Sequence, residues 1–418
     1  MTKTDHQGAI KIAAPQLSWA LDLAKVDSLY LTGFKGEGIR IGHLDTGIHL
    51  GLRDLFQQIE HSCIFDLNGF PQENDKLDDD NGHGTHTASL LVGSSRTRTY
   101  IGVAPKAKLV TGKVLEGGAA IVRILRGLDW LGEQKVPLAY LCAGLPNRNP
   151  VFGPMLRSLR EDGMLVVCPI GNAGNGNTMQ PGDDTSVLSV GAIDRQGKVP
   201  GFSGSRRGAY STQVLAPDIL APGVEVPCAT RTGGRATYNG TSMSAAIVAG
   251  VAALLLEAVP GASADDLYDA ICYGANPLNA DTKKHARCGI LNAEIALDYL
   301  RKHNNQENRP RPERPPLVRP GWCDPRLNYQ LTRADRDDSL MAVYVLQTDS
   351  GIAEWEQRCR EILAPVFQKT VPDSIEYLPR GRAVIISAPP AVHKALIANS
   401  SVLYASAADA GRILLPNK

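Results

Sequence analysis

Asp45, His83 and Ser242, far apart in a chain of 418 residues, are the side-chain types that together activate a hydroxyl nucleophile. A serine hydroxyl is a weak nucleophile at its own pKa and needs an adjacent base. The imidazole base in turn needs a carboxylate to fix its tautomer and stabilise the imidazolium. Asn172 adds an amide N–H that would meet the negative oxygen of a tetrahedral intermediate, alongside the backbone N–H of Ser242. Singly, each has a plainer reading: Asp45 as a turn cap, Ser242 as a helix N-cap, Asn172 as a left-handed turn residue. His83 and His86, three apart, would suit a metal pair, but the glutamate of an HExxH zinc site is missing. The neighbouring Asp78-Asp79-Asp80 reads as a solvated loop. What joins the four residues is their setting, because each stands within two residues of a glycine at a strand end or helix start.

Those settings follow from the hydrophobic pattern. Strands are predicted at 39–44, 108–114, 138–142, 164–170 and 187–193, and helices at 119–134 and 151–161. This alternation of strand and helix argues an α/β fold, a mainly parallel sheet with helices on both faces. Asp45 then closes a strand, and Gly171-Asn172-Ala173-Gly174 follows another. Asn239-Gly240 turns directly into the run 245–256, apolar nearly all round, so Ser242 would sit at the N-terminus of a buried helix.

The sequence Leu44-Asp45-Thr46-Gly47, Asn81-Gly82-His83-Gly84-Thr85-His86-Thr87-Ala88, Gly171-Asn172-Ala173-Gly174 and Asn239-Gly240-Thr241-Ser242-Met243-Ser244 resembles the subtilisin family of serine proteases over about residues 19–256. The resemblance implies an endopeptidase with Asp45, His83 and Ser242 as triad, Asn172 in the oxyanion hole and His86 as a structural histidine. It also implies that Cys142-Ala143-Gly144 lines the substrate pocket. Met179, before Gln180-Pro181-Gly182, would either shorten that pocket or turn into the core. Two departures stand out: Ala246-Ile247 replaces the usual proline and its neighbour, and Cys142 takes a position usually held by serine. Cys142 is then a small buried hydrophobe or a thiol that tunes the pocket. The family's calcium loop falls on Ser94-Ser95-Arg96-Thr97-Arg98-Thr99 with Asp54. Two added arginines make a poor calcium site, so no cofactor is expected.

A catalytic domain over 1–303 is expected, then a Pro/Arg-rich linker over 304–335 and a small domain over 336–418. The last reads βαββαβ, a ferredoxin-like order that resembles the propeptide inhibitors of the same family. With the catalytic domain starting near Met1, such a domain is the expected restraint, folding back so that its tail reaches the cleft. Net charge is +1, which points to neither nucleic acid nor a membrane surface, and no window reads as long and apolar enough to span a bilayer. Eight scattered cysteines and no signal peptide suggest the cytoplasm. The expected partner is a peptide or protein substrate. Two other readings stay open: a maturation protease of narrow specificity, and a scaffold that binds peptides without cutting them.

Overall fold

A computed structural model describes residues 16–408 apart from 53–54, 56, 73–76, 95–98, 116–117, 146–149, 208–213, 305–321, 336–337, 349–350 and 369–370. Its centre is a sheet built from β1 (Arg40–Asp45), β2 (Ile59–Phe65), β3 (Lys108–Lys113), β4 (Leu138–Leu141), β5 (Leu165–Pro169), β6 (Leu188–Ile193) and β7 (Ile219–Pro222). The spatial order is β7-β6-β5-β4-β1-β3-β2, all parallel, with Gly289–Ile290 and Pro71–Gln72 added at the two edges. The predicted α/β class is therefore observed.

Alternate side chains of each strand enter different cores, as the two-residue period of a strand requires. Leu138, Tyr140 and Cys142 face the core that contains helices α1 (His83–Val92) and α4 (Thr241–Ala258). Ala139, Leu141 and Ala143 face the opposite core, made with α2 (Ala120–Glu133) and α3 (Gly153–Glu161). By length and composition α4 could cross a bilayer, contrary to the sequence expectation, yet 89% of it is buried inside the protein. It is the central helix of the fold.

The C-terminal unit contains β8 (Leu340–Leu346), α5 (Ile352–Phe367), β9 (Ser374–Leu378), β10 (Ala383–Ala388), α6 (Pro390–Ile397) and β11 (Val402–Ala407). These strands pair antiparallel in the order β11-β8-β10-β9, the ferredoxin-like arrangement. The expected start at 336 is too late. Trp322–Cys323 adds a parallel strand beside β11, and the helix Pro325–Arg333 packs Leu327 and Leu331 into this unit's own core. Part of the stretch read as linker therefore belongs to the C-terminal sheet.

That sheet buries both faces. Ala342, Tyr344, Val384 and Ile386 pack on α5 and α6. Val343, Val345, Leu378, Ala383 and Ile385 join the core formed by α2 and α3 of the large unit. Ion pairs rim the contact: Arg126 with Glu376, and Arg380 with Asp129 at 3.2 Å and Asp162 at 3.3 Å. Where β11 ends, the Ala408 carbonyl accepts the Ile121 N–H in the first turn of α2.

Candidate active site

Asp45 ends β1, fully buried, and His83 begins α1. Their approach depends on Gly84, where a Cβ would lie 2.1 Å from the Gly47 carbonyl oxygen. Gly82, at φ +96°, supplies the left-handed turn that starts the helix. The free N–H groups of that turn are taken by side chains. Asp79 Oδ1 accepts from Gly82 N and Thr46 Oγ1, both at 2.8 Å. Its Oδ2 accepts from Thr85 N at 2.8 Å and Thr85 Oγ1 at 2.6 Å. Asp79 is fully buried, so the reading of 78–80 as a solvated loop fails at its middle residue.

His83 Nδ1 donates to Asp45 Oδ1 at 2.7 Å, which leaves Nε2 with the lone pair of a base. The same Oδ1 accepts the Thr46 N–H at 2.7 Å, and Oδ2 accepts Thr87 Oγ1 at 2.9 Å. Burial opposes ionisation of Asp45, but the charge and bond of His83 and the Thr46 N–H outweigh it and hold the carboxyl below its ordinary range. Burial likewise disfavours the His83 imidazolium, yet Asp45, and after it Cys142, raise the ring well above its ordinary value. Behind the pair lies His43, with Thr111 Oγ1 and Thr87 Oγ1 each at 3.0 Å and its ring stacked on Tyr140. Burial pushes His43 down to about 4, so it is a neutral hydrogen-bonding support near pH 7.

Ser242 is the second residue of α4, where backbone N–H groups and the helix dipole favour negative charge. The Asn172 amide oxygen accepts both Thr241 N and Thr241 Oγ1 at 3.0 Å. This fixes the amide with its NH2 turned away from Thr241 and available to an oxyanion. The Cys142 thiol lies 3.1 Å from Ser242 Oγ and 3.8 Å from His83 Nε2. Among the described residues no direct hydrogen bond joins Ser242 Oγ to His83; such contacts tighten when substrate binds. Cys142 is 3% exposed, as the buried-hydrophobe reading expects, and its thiol also contacts Ser242 and His83.

Ala143 and Gly144 continue from β4 to Leu145, which exchanges backbone hydrogen bonds with Gln180 at 3.0 and 3.1 Å. This bridge sets the residue after Gly144 beside the residue after Met179. Met179 is buried and packs over Gly171, the residue before Asn172. His86, as expected for a structural histidine, stacks on Tyr238 with ring centroids 3.7 Å apart, and burial pushes it down to about 4. A cleft of about 890 Å³ opens beside the pair, lined by His83, His86, Arg231, Tyr238 and Met243. Asp54 and residues 95–98 of the candidate calcium loop lie outside the described residues.

Residues 36–290 match the family model described as "Subtilase family". The chain belongs to the subtilase family. Similar proteins include Subtilisin Savinase of Lederbergia lenta, 30% identical over 290 residues, which cover 68% of this chain and 99% of the relative. M-protease of Shouchella clausii (strain KSM-K16) is 29% identical over 299 residues, 70% of this chain and 73% of the relative. Alkaline elastase YaB of Bacillus sp. (strain YaB) is 31% identical over 282 residues, 66% of this chain and 69% of the relative. As a subtilase this chain is a serine endopeptidase.

Of the supporting residues in this subtilase, sequence reasoning passed over Thr46, Thr87 and Thr241 and took Asp79 for a solvated residue. Thr87 had a signal: four residues after His83 on one helix, it shares the face that meets Asp45.

Proposed function

We propose that peptide bonds are hydrolysed here by Ser242 as nucleophile, His83 as base and Asp45 as the carboxylate that orients and stabilises it. Asn172 and the Ser242 N–H hold the oxyanion. The observation that carries this is the 2.7 Å Asp45–His83 bond, wholly buried, which leaves Nε2 open toward the helix N-terminus bearing Ser242. Ser242 Oγ attacks the scissile carbonyl while Nε2 takes its proton, and the imidazolium then protonates the leaving amine. Water repeats the sequence on the acyl-enzyme. Ser242→Ala should abolish hydrolysis and labelling by a fluorophosphonate while leaving the melting temperature unchanged. A labelled Ser242→Ala protein, or an unlabelled wild type, would sink the assignment.

A regulatory reading rests on the docked C-terminal unit. Its sheet covers α2 and α3, and Ala408 is tied to the first turn of α2, seven residues beyond Val114, whose N–H bonds the Asp45 carbonyl. The ten residues after Ala408 would span roughly 33 Å if extended. On this reading the tail enters the cleft like a product and restrains the enzyme. A chain ending at Ala408 should hydrolyse a small peptide faster than the full chain, and Arg380→Glu, facing Asp129 and Asp162, should do the same by loosening the dock. If neither changes the rate, the unit does not restrain catalysis. We also place the protein in the cytoplasm, in keeping with eight cysteines scattered singly along the chain.

A further inference from the structure

We infer that His83 and Cys142, with Ser242 beside them, form an inhibitory site for a thiophilic divalent cation such as zinc, so that filling it switches the protease off. Three observations converge. The first is a cluster of candidate groups in one place: Asp45, His83 and Cys142 bring polar atoms to within 4.8 Å of one another, all buried, with His83 Nε2 and Cys142 as the ligands and Asp45 behind the ring. It differs from the His83–His86 pair suggested by sequence, because His86 is committed to its stack on Tyr238. The second is the bite. A tetrahedral zinc with bonds of about 2.3 Å to sulfur and about 2.0 Å to nitrogen holds those two atoms about 3.6 Å apart. His83 Nε2 and Cys142 Sγ are 3.8 Å apart, so an ion fits between them with a shift of a few tenths of an ångström. Ser242 Oγ, 3.1 Å from the sulfur, would swing outward as a third ligand, and water from the cleft would complete the shell.

The third is the support behind the ring. Asp45 already holds His83 Nδ1, the carboxylate–histidine arrangement that orients imidazole toward zinc and raises its basicity. Binding forms one S–Zn and one N–Zn bond, releases the thiol proton to solvent and changes no oxidation state. It occupies both the base and the nucleophile, which is why the outcome is inhibition. A serine at position 142 would leave the triad intact and provide only a weak hydroxyl ligand. The thiol is what turns the catalytic pair into a metal chelate.

The proposal rests on the triad reading, and its test separates the two. Full-length protein stripped by a chelator is titrated with zinc against a chromogenic competitor, and with cobalt while the near-ultraviolet spectrum is recorded. Wild type should bind an equivalent of metal that prior fluorophosphonate labelling of Ser242 blocks, and cobalt in that equivalent should show a thiolate charge-transfer band. Zinc should suppress peptide hydrolysis, and the chelator should restore it. Cys142→Ser should lose the band and need on the order of a hundredfold more zinc to inhibit its own metal-free rate. Ser242→Ala, inactive as a protease, should keep the band, so lost proteolysis and lost metal binding read out separately. Zinc inhibition unchanged in Cys142→Ser, or no thiolate band in the label-sensitive equivalent, overturns the site. Should Cys142→Ser fail to fold, the difference between labelled and unlabelled wild type decides it alone.

Discussion

Replacing Asp79 by asparagine keeps the side chain's shape and tests whether a residue that touches neither substrate nor Ser242 sets the position of His83. Its two oxygens take four hydrogen bonds at 2.6–2.8 Å, two of them from backbone N–H groups of the turn that carries His83. In either amide orientation the new NH2 faces one of those N–H groups and leaves it buried without an acceptor. An orphaned buried donor costs about 1–3 kcal/mol, and charge-assisted bonds are also weakened, so about 3 kcal/mol is expected. For a unit of this size that lowers the melting temperature by roughly 6–12 °C. Misplacing the base should also cut kcat by roughly ten- to a hundredfold, with a smaller effect on KM. The control is Asp80→Asn, since the Asp80 side chain is 80% exposed and its change should stay within about 0.5 kcal/mol. Thermal melts and steady-state kinetics on the three proteins suffice. If Asp79→Asn behaves like Asp80→Asn, the turn is not held as described.

Asn172→Ala should lower kcat by about a hundredfold or more with little change in KM, because its donor acts only on the developing oxyanion. Thr241→Val removes one of the two bonds that aim that amide and should cost about fivefold in kcat. His43 titrates at about 4 when folded, against 6.5 ordinarily. Its contribution to stability is therefore present above pH 6.5 and lost as pH falls toward 4, about 3 kcal/mol in all. Urea melts at pH 7 and pH 4 should show that loss, and His43→Gln should reduce it. The cations Arg96 and Arg98 in the candidate calcium loop predict that EDTA shifts the melting temperature by less than about 2 °C, which calorimetry checks.

Much of the architecture is legible because strand and helix periods differ. Runs such as 138–142 and 164–170 announce buried parallel strands, and the βαββαβ pattern after residue 340 is regular enough to give its topology. The C-terminal unit's early start was hidden by composition: the Pro/Arg run masks a two-residue strand, and only Asp324-Pro325, with Leu327 and Leu331 four apart, hinted at a helix. Asp79 was misread because an acidic triplet normally faces water; three of its four donors, on Gly82 and Thr85, lie just ahead in the chain, but they converge only once the turn into α1 has formed, and Thr46 comes from 33 residues away. The thiol–hydroxyl–imidazole contact of Cys142 was not readable at all, since 100 residues separate Cys142 from Ser242 and only the packed sheet sets the distance.

The C-terminal sheet that covers α2 and α3 lies after both helices in the chain, and that order imposes a timetable on synthesis. At about 5–20 residues per second, the roughly hundred residues between His303 and Ala408 take on the order of ten seconds to leave the ribosome. Throughout that interval the large unit is complete but its apolar flank, including Phe152, Met155 and Leu156, has nothing over it. Its parallel strands pair residues far apart in sequence, which is the slow kind of folding. The newborn chain thus meets the cell with a tacky flank on an otherwise finished large unit.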